Sequence, residues 1–268
     1  MGGQTQVGRG KGTVATVPYI QTCELRRRFV IGILLSYVTA IMETKIFSWL
    51  GREFVEICGE ASSGVSVETA TAELFRKFAD TLRPLRLSLD NTARIRVFGR
   101  DKQARTDATM ARSKILSGSR RAASSSFISQ DWFDSSAMAG LELLALRPCH
   151  ATAARMPIDF APARNYLCYL AFDELLFFSG FTSEAATLEQ QVGEVLQTLD
   201  SAFAGAKTDW SKVVKLSLLL QRGSSIDSVM HKLAQTNRLS VPEIEFTFVD
   251  GFAGEKYLLE IEATAVSG

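Results

Sequence analysis

Three features of the sequence predict an α+β fold of two tandem domains, each a mixed sheet with two helices packed on one face. The two halves of the chain resemble each other, which indicates an internal duplication. Each half runs through the same order of strand and helix patterns, β-β-α-β-α-β-β. The 268 residues and the apolar content of 46% suffice for two hydrophobic cores.

The duplication rests on three pairs of segments that occur in the same order in both halves. They are FVEICGEAS and LLFFSGFTS (54–62 and 175–183), SLDNTARIRVF and KTDWSKVVKLS (88–98 and 207–217), and LELLA and LEIEA (141–145 and 259–263). This alignment pairs Gly59 with Gly180 and Glu142 with Glu260, and it places Leu144 at the position of Glu262. Only the second copy then carries an acid at the latter position.

The predicted boundaries follow from composition. Residues 1–17 are rich in glycine and form a flexible tail, residues 18–148 form the first domain, and residues 149–268 form the second. The break lies near LRPCHATAARMP, where Pro148 and Pro157 interrupt regular structure.

In the second copy, alternation of apolar residues predicts strands and a helical period predicts helices. Thr187 and Gln190 form a capping box at the start of the first helix, whose buried stripe includes Val192, Val195 and Leu199. The predicted elements are a hairpin over 165–180, a helix from 187, a strand over 213–220, a helix over 225–236, and strands over 244–249 and 257–265.

The first copy shows the same order in a weaker form. Its predicted elements are a hairpin over 45–60, helices near 68–87 and 102–116, a strand over 93–98, and two closing strands.

The last strand carries two acids on one face. In YLLEIEATA, Glu260 and Glu262 share a face because side chains alternate along a strand. Neighbouring carboxylates repel each other unless water, cations or a binding site accommodates them. This strand is therefore a candidate functional element.

Composition argues against several other kinds of protein. The net charge of +1 gives no general attraction to nucleic acid or to a membrane surface. The four cysteines form no CxxC pair, which is typical of free thiols in a reducing compartment. The longest apolar run, 29–41, is shorter than the roughly 20 residues of a bilayer span. We therefore expect a soluble, cytoplasmic protein without a membrane partner.

Metal and cofactor chemistry have little support. The sequence contains only two histidines, His150 near the domain boundary and His231 in a predicted helix, and a histidine-based metal site or a Ser-His-Asp triad would need more convergence than this. GRGKG at 8–12 lacks the strand–loop–helix setting of a phosphate loop. The sequence predicts neither a metal nor a cofactor.

A basic stretch spans residues 94–121 and contains nine Lys and Arg residues. They are Arg94, Arg96, Arg100, Lys102, Arg105, Arg112, Lys114, Arg120 and Arg121. An RNA-binding face is one interpretation. Because Phe98 is its only aromatic residue, a solvated helix face or a rim that collects anionic ligands is favoured, and no nucleic acid partner is expected.

Four of these segments together resemble the Rid (YjgF-like) family: the hairpin ending in Ser-Gly, the LEQQVGEVLQTLDSAF helix, the DWSKVVKLSLLL strand and the closing LEIEATA. The resemblance covers most of 160–268 and, more weakly, 45–146. It implies tandem Rid-like (chorismate-mutase-like) domains, a homotrimer, and ligand sites in clefts between neighbouring units. Members hydrolyse enamines and imines to ketoacids and ammonia, and others are linked to RNA cleavage.

The resemblance also implies site residues. The family binds the substrate carboxylate with an arginine in a Pro-x-Arg segment, where this chain has Ile244 in one copy and Ser126 in the other. Arg121 is a possible substitute, and Ile244 would form an apolar wall. Glu262 is the implied catalytic carboxylate, which would position or activate a hydrolytic water with a pKa raised by partial burial. Ser179, Gly180 and Glu260 would contact the substrate.

Two classes of function therefore remain open from sequence. The chain is either a Rid-type hydrolase of enamines, imines or related small C=N metabolites, or a catalytically silent ligand-binding or assembly protein that lacks the family arginine. A chorismate-hydrolysing enzyme is a third, less favoured, hypothesis. In each case the partner is a small-molecule metabolite.

Overall fold

The computed structural model describes residues 42–150, 152–236 and 241–267. The predicted tail 1–17 and the predicted start of the first domain lie outside this range. The strands are β1 Met42–Trp49, β2 Arg52–Glu60, β3 Thr92–Gly99, β4 Ala123–Ile128, β5 Ala139–Leu146, β6 Arg155–Asp159, β7 Leu167–Phe172, β8 Leu175–Phe178, β9 Val213–Gln221, β10 Glu243–Val249 and β11 Leu259–Val266. The helices are α1 Val67–Leu82, α2 Lys102–Ile115, α3 Leu188–Gly205 and α4 Ile226–Gln235.

The strands form two mixed sheets, as predicted. The first has the order β1-β2-β5-β3-β4 and the second the order β10-β9-β11-β8-β7-β6. The β3–β4 and β9–β10 pairs are parallel, and the other pairs are antiparallel. The first sheet ends at Leu146 and the second begins at Arg155, while the domain limits at 148 and 149 stay a prediction.

One strand differs from the expected order. The second unit has an additional strand, β6, which contains Pro157, although the sequence indicated a break there. Proline has no N–H to donate, and it is therefore tolerated at the edge of a sheet. β6 occupies that position because it pairs only with β7.

Each sheet is covered by helices on one face. In the first unit, Ile95 and Val97 of β3 are buried in one cluster with Leu74 and Phe78 of α1. In the second unit, α3 begins at the predicted capping box, in which Thr187 accepts from the backbone N–H of Gln190. Among the described residues, no helix is both long and apolar enough to cross a membrane.

The faces without helices pack against each other. Phe54 and Ala93 of the first unit share a buried cluster with Leu170 and Phe177 of the second. Because side chains alternate along a strand, this packing fixes which polar residues of β3, β5 and β11 lie between the two sheets.

The two units also meet along strand edges. The backbone N–H of Ser124 in β4 donates to Ser179 Oγ at 3.1 Å, and the N–H of Gly180 donates to the Ser124 carbonyl at 3.5 Å. Further along, Ile128 forms an isolated antiparallel bridge with Gly251. β4 therefore borders the segment that carries Ser179 and Gly180.

Sheet register tests the alignment of the two copies. In the first unit, Ala145 of β5 pairs with Val55 of β2 and with the first residue of β3. In the second unit, Ala265 of β11 pairs with Leu176 of β8 and with the first residue of β9. Val55 and Leu176 therefore occupy equivalent positions. Counting four residues onward matches Gly59 to Gly180, and the predicted equivalence is confirmed.

The predicted match of Glu142 with Glu260 is wrong. Arg96 pairs with Glu142 in the first unit, and Ser217 pairs with Glu262 in the second. Glu142 lies three positions before Ala145, and Glu262 lies three positions before Ala265, and these two alanines are equivalent. Glu142 therefore corresponds to Glu262, and Glu260 corresponds to Gly140. A slip of two residues preserves the faces of a strand, which is why the sequence pattern did not reveal it.

Candidate functional site

A buried ion network joins the two sheets. Arg94 and Arg96 of β3 lie opposite Glu262 of β11, with Arg94 Nη1 at 2.5 Å and Arg96 Nη2 at 2.7 Å from Oε2. Arg96 Nη1 also lies 2.8 Å from Glu142 Oε1. These contacts link the first unit to the second through charge.

Arg94 is bound at several further points. Its Nη2 donates to the backbone carbonyls of Phe178 at 3.1 Å and Ala263 at 2.8 Å. A guanidinium with this many acceptors is held rigidly, and it offers little to a ligand. Arg94 therefore acts as a clamp between the units.

Glu262 does not match its predicted role. Its exposed fraction is 0%, and both carboxylate oxygens accept from Arg96. Burial alone would raise the pKa of Glu262, but the charges of Arg94 and Arg96 outweigh it and lower the pKa to about 2. The expected raised pKa is wrong, because the sequence pattern does not indicate that two arginines of the other unit lie opposite Glu262.

Glu260 is the acid with the raised pKa. Burial raises the pKa of Glu260 to about 8, and the nearby charge of Glu262 adds to this effect. Its exposed fraction is 7%, and among described residues it takes part in no ion pair. The carboxyl is therefore largely protonated at neutral pH.

Gly180 makes room for that carboxyl. A Cβ placed on Gly180 would lie 1.5 Å from Glu260 Oε1, a distance that no side chain tolerates. Ser179 is buried next to it. The structure thus brings together Ser179, Gly180 and Glu260, as the sequence predicted.

The expected backbone donors are otherwise engaged. The Ser179 N–H donates to the Cys168 carbonyl at 3.1 Å, and the Gly180 N–H points to Ser124. The prediction that these groups bind substrate is not supported, because they hold strands together.

Ile244 and Arg121 lie elsewhere. Ile244 belongs to the buried core of the second unit, and its strand β10 is separated from β8 by β9 and β11. Arg121 makes a two-point contact with Asp159, with Nη1 at 2.7 Å and Nη2 at 3.0 Å. Neither forms part of the site around Glu260.

Arg105 is a site residue that the sequence did not single out. It extends from α2, and its Nη1 donates to Ser126 Oγ at 3.0 Å. Ser126 is the position at which the family resemblance implied an arginine. The charge of Glu260 raises the pKa of Arg105, although burial lowers it more, and the two side chains therefore interact electrostatically. The basic stretch was the only signal for this residue.

The first unit has no equivalent acid. Gly140 stands where the second unit has Glu260, and a Cβ there would lie 1.9 Å from the ring of Trp132. Trp132 stacks on Phe98 with ring centroids 4.6 Å apart. An aromatic side chain therefore fills the corresponding space in the first unit.

The favoured interpretation of the basic stretch holds only in part. Lys102 and Lys114 make exposed ion pairs with Glu255 and Glu68, as a solvated helix face would. Arg94 and Arg96, in contrast, are buried between the sheets. Within the described ranges, no group of three His, Cys, Asp or Glu residues is placed to hold a metal ion.

Comparison with known proteins gives a match in fold. A crystal structure of a chorismatase aligns with a TM-score of 0.57 and 14% identity, covering 83% of this chain and 79% of that one. Rv2704 of Mycobacterium tuberculosis, from the YjgF/YER057c/UK114 family, matches 42% of this chain and 99% of its own (TM-score 0.38, 21% identity). The Rid protein YyfA of Yersinia pestis matches 42% of this chain and 99% of its own (TM-score 0.37, 20% identity). No family model and no curated protein matches the chain.

The fold is therefore that of a two-unit α+β protein, and the alignment with the chorismatase extends across both units. The site adds a protonatable carboxyl at the boundary between them.

Proposed function

We propose that the chain is a Rid-type hydrolase of imines, enamines or related small C=N metabolites, with Glu260 as the proton-transferring group. The observation that carries this proposal is a buried carboxyl whose pKa is about 8, set against Gly180 next to the neighbouring unit. Carboxyls with raised pKa values cluster at functional sites because proton transfer at neutral pH requires them.

The reaction needs one water and one proton-transferring group. Water adds to the carbon of the C=N bond while protonated Glu260 donates its proton to the nitrogen. The carboxylate then takes one proton from the added water and passes it to the nitrogen, and it takes the remaining hydroxyl proton as the C–N bond breaks and the carbonyl forms. An imine and water thus yield a carbonyl compound and ammonia, and Glu260 ends as it began.

Glu260→Gln tests this role. Glutamine keeps the shape of the side chain but transfers no proton, and a loss of turnover on the order of 10²-fold is expected. Since the protonated form acts first, wild-type turnover should be full below pH 8 and fall as pH rises through the pKa of about 8. Ammonia release from freshly generated imines measures both effects.

Glu68→Gln, an exposed acid of the first unit, is the control and should keep wild-type turnover. Turnover that Glu260→Gln leaves unchanged would contradict the proposal. No turnover on any imine would leave a silent ligand-binding or assembly protein as the better description.

Chorismate hydrolysis is the second candidate. It is favoured by the chorismatase alignment, which extends across both units of this chain. Release of pyruvate from chorismate tests it, and the same Glu260→Gln variant reports whether that activity depends on the buried carboxyl.

We also propose that the chain forms a homotrimer in the cytoplasm. The support is that β1 and β10 are outer strands whose second edges are unpaired in the part of the chain described. In the second unit, Leu170 and Phe177 pack against the first unit, and the register places Lys45 and Glu56 of the first unit at the equivalent positions. If this face of the first unit forms the contact between chains, that contact is polar and should weaken with salt.

Light scattering at low and high salt measures the assembly. We expect a trimer mass at low salt and a smaller mass at high salt. A monomer at both salt concentrations would contradict the proposal.

A further inference from the structure

The first unit contains a cavity at a place where the second unit holds a side chain. The cavity measures about 120 Å³ and lies between the start of α1 and the segment before β5. Its lining includes Ala70 of α1, which is 2% exposed, and Ser136 and Met138 of that segment. A space of this size accepts a small organic molecule, since an engineered cavity of about 150 Å³ binds benzene.

Gln191 occupies the equivalent place in the second unit. The helices α1 and α3 begin at the N-caps Ser66 and Thr187, each seven positions after the glycine that the two units share. Counting four positions onward from each cap matches Ala70 to Gln191. At this point the first unit therefore has a short apolar side chain and the second unit has a long amide.

The amide of Gln191 is fully bonded inside the second unit. Its Nε2 donates to the backbone carbonyls of Ala185 and Lys256, both at 2.8 Å, and its Oε1 accepts from the N–H of Leu258 at 2.8 Å. Gln191 has an exposed fraction of 0%. A primary amide carries two N–H hydrogens and one carbonyl oxygen, and this place uses all of them.

Two of the three groups that bind Gln191 have counterparts in the first unit. Met138 and Leu258 directly precede β5 and β11, and the carbonyl of each accepts a hydrogen bond of 2.9 Å from the end of β3 or β9. Met138 therefore corresponds to Leu258, and Ser136 corresponds to Lys256. Among the described residues, neither the Met138 N–H nor the Ser136 carbonyl has a hydrogen-bond partner.

The third group does not carry over. Ala185 corresponds to Gly64, which lines the cavity but has a φ of 87°, and its loop therefore follows a different course. One acceptor and one donor remain, two positions apart along the chain, beside a space that an amide fills in the other unit. A carboxylate fits these groups poorly, because it has no hydrogen to donate to the Ser136 carbonyl.

We propose that this cavity of the first unit binds a small molecule through its primary amide group. The amide N–H donates to the Ser136 carbonyl, and the amide oxygen accepts from the Met138 N–H, as Gln191 does at the matched groups of the second unit. The rest of the molecule contacts the apolar side chains of α1 that line the cavity. The site consists of residues of the first unit alone, and it does not depend on the hydrolase proposed around Glu260.

Propionamide is the probe, because it reproduces the end of a glutamine side chain. In an NMR titration of the isotope-labelled chain, millimolar propionamide should shift the Met138 N–H signal. The Leu258 N–H signal should stay in place, because Gln191 already binds that group. Propionate has the same shape but no donor, and it should bind at least roughly tenfold more weakly, since it would leave the carbonyl unpaired.

Ala70→Gln supplies the amide from the chain itself. It should abolish the response of the Met138 N–H to propionamide and keep the urea midpoint at the wild-type value or above it. Ala72→Gln makes the same substitution at an exposed position of α1, and it should bind propionamide like the wild type. A large loss of stability in Ala70→Gln would contradict the proposal, because the cavity would then not accommodate an amide.

Gln191→Ala is the reverse case. It removes three buried hydrogen bonds and should lower the urea midpoint, and propionamide should restore part of the loss and shift the Leu258 N–H signal. The proposal would be overturned if the Met138 N–H of the wild type did not respond to propionamide. Equal responses to propionamide and propionate, or an unchanged response in Ala70→Gln, would also overturn it.

Discussion

Glu262→Gln is expected to destabilise the chain by roughly 3–5 kcal/mol, the usual cost of removing one partner from a buried ion pair. The variant leaves Arg94 and part of Arg96 between the sheets without the charge that balances them. Urea unfolding followed by fluorescence measures the change. Glu174→Gln is the matched control because it removes an exposed partner of Arg52, and it should cost at most about 1 kcal/mol.

The same ion pair is expected to make the free energy of unfolding depend on pH. The pKa of Glu262 is lowered from 4.5 to about 2, so the folded state binds this proton less readily than the unfolded state. The stabilisation is therefore complete above pH 4.5 and is lost as pH falls towards 2. Glu262→Gln should flatten this part of the stability curve. The role of this ion pair in joining the units would be refuted by either of two results. Glu262→Gln could lose stability at acidic pH as steeply as the wild type does, or it could lose no more stability than Glu174→Gln.

Gly180→Ala is expected to cost about 1–3 kcal/mol and to displace the Glu260 carboxyl. The added methyl would lie 1.5 Å from Oε1, and the side chain would have to leave its place. The pKa of about 8 depends on burial, and a displaced carboxyl should therefore titrate closer to its ordinary value. Urea unfolding and the pH profile of ammonia release test both effects.

Gly193→Ala supplies the control. Its added Cβ would meet only the flexible end of Lys232, at 3.3 Å, and Gly193 lies inside α3, where alanine is favoured by roughly 0.5–1 kcal/mol. This variant should be as stable as the wild type or more so. Equal stability and equal pH profiles for Gly180→Ala and wild type would show that the carboxyl does not occupy the space above Gly180.

The two acids of the last strand have different roles because their surroundings differ. Glu262 faces two guanidinium groups and stays charged, whereas Glu260 lacks an ion pair and stays largely protonated. This division resolves the repulsion expected of adjacent carboxylates, since only one of them carries a charge at neutral pH. Assembly of the units rests on one acid, and proton transfer is proposed for the other.

The two-unit α+β fold could be predicted from local sequence patterns. Period-two and helical patterns are local, and the capping box at Thr187 and the buried stripe of α3 appear where they were predicted. The match of Gly59 to Gly180 was also available, since both copies keep the glycine. The family resemblance grouped Ser179, Gly180 and Glu260 in one site, but it also included Ile244 and Arg121, which lie elsewhere.

Which of the two acids carries a charge could not be predicted from the sequence, because it depends on contacts between the two units. The partners of Glu262 are Arg94 and Arg96, which lie 168 and 166 positions away in the sequence and belong to the other unit. A pKa depends on burial and on such distant charges, and neither is written in the local pattern. The register of β5 and β11 was likewise hidden, because a shift by two residues leaves every side chain on its face. The packing of one sheet on the other determines both the charge state of the two acids and the register of the two strands.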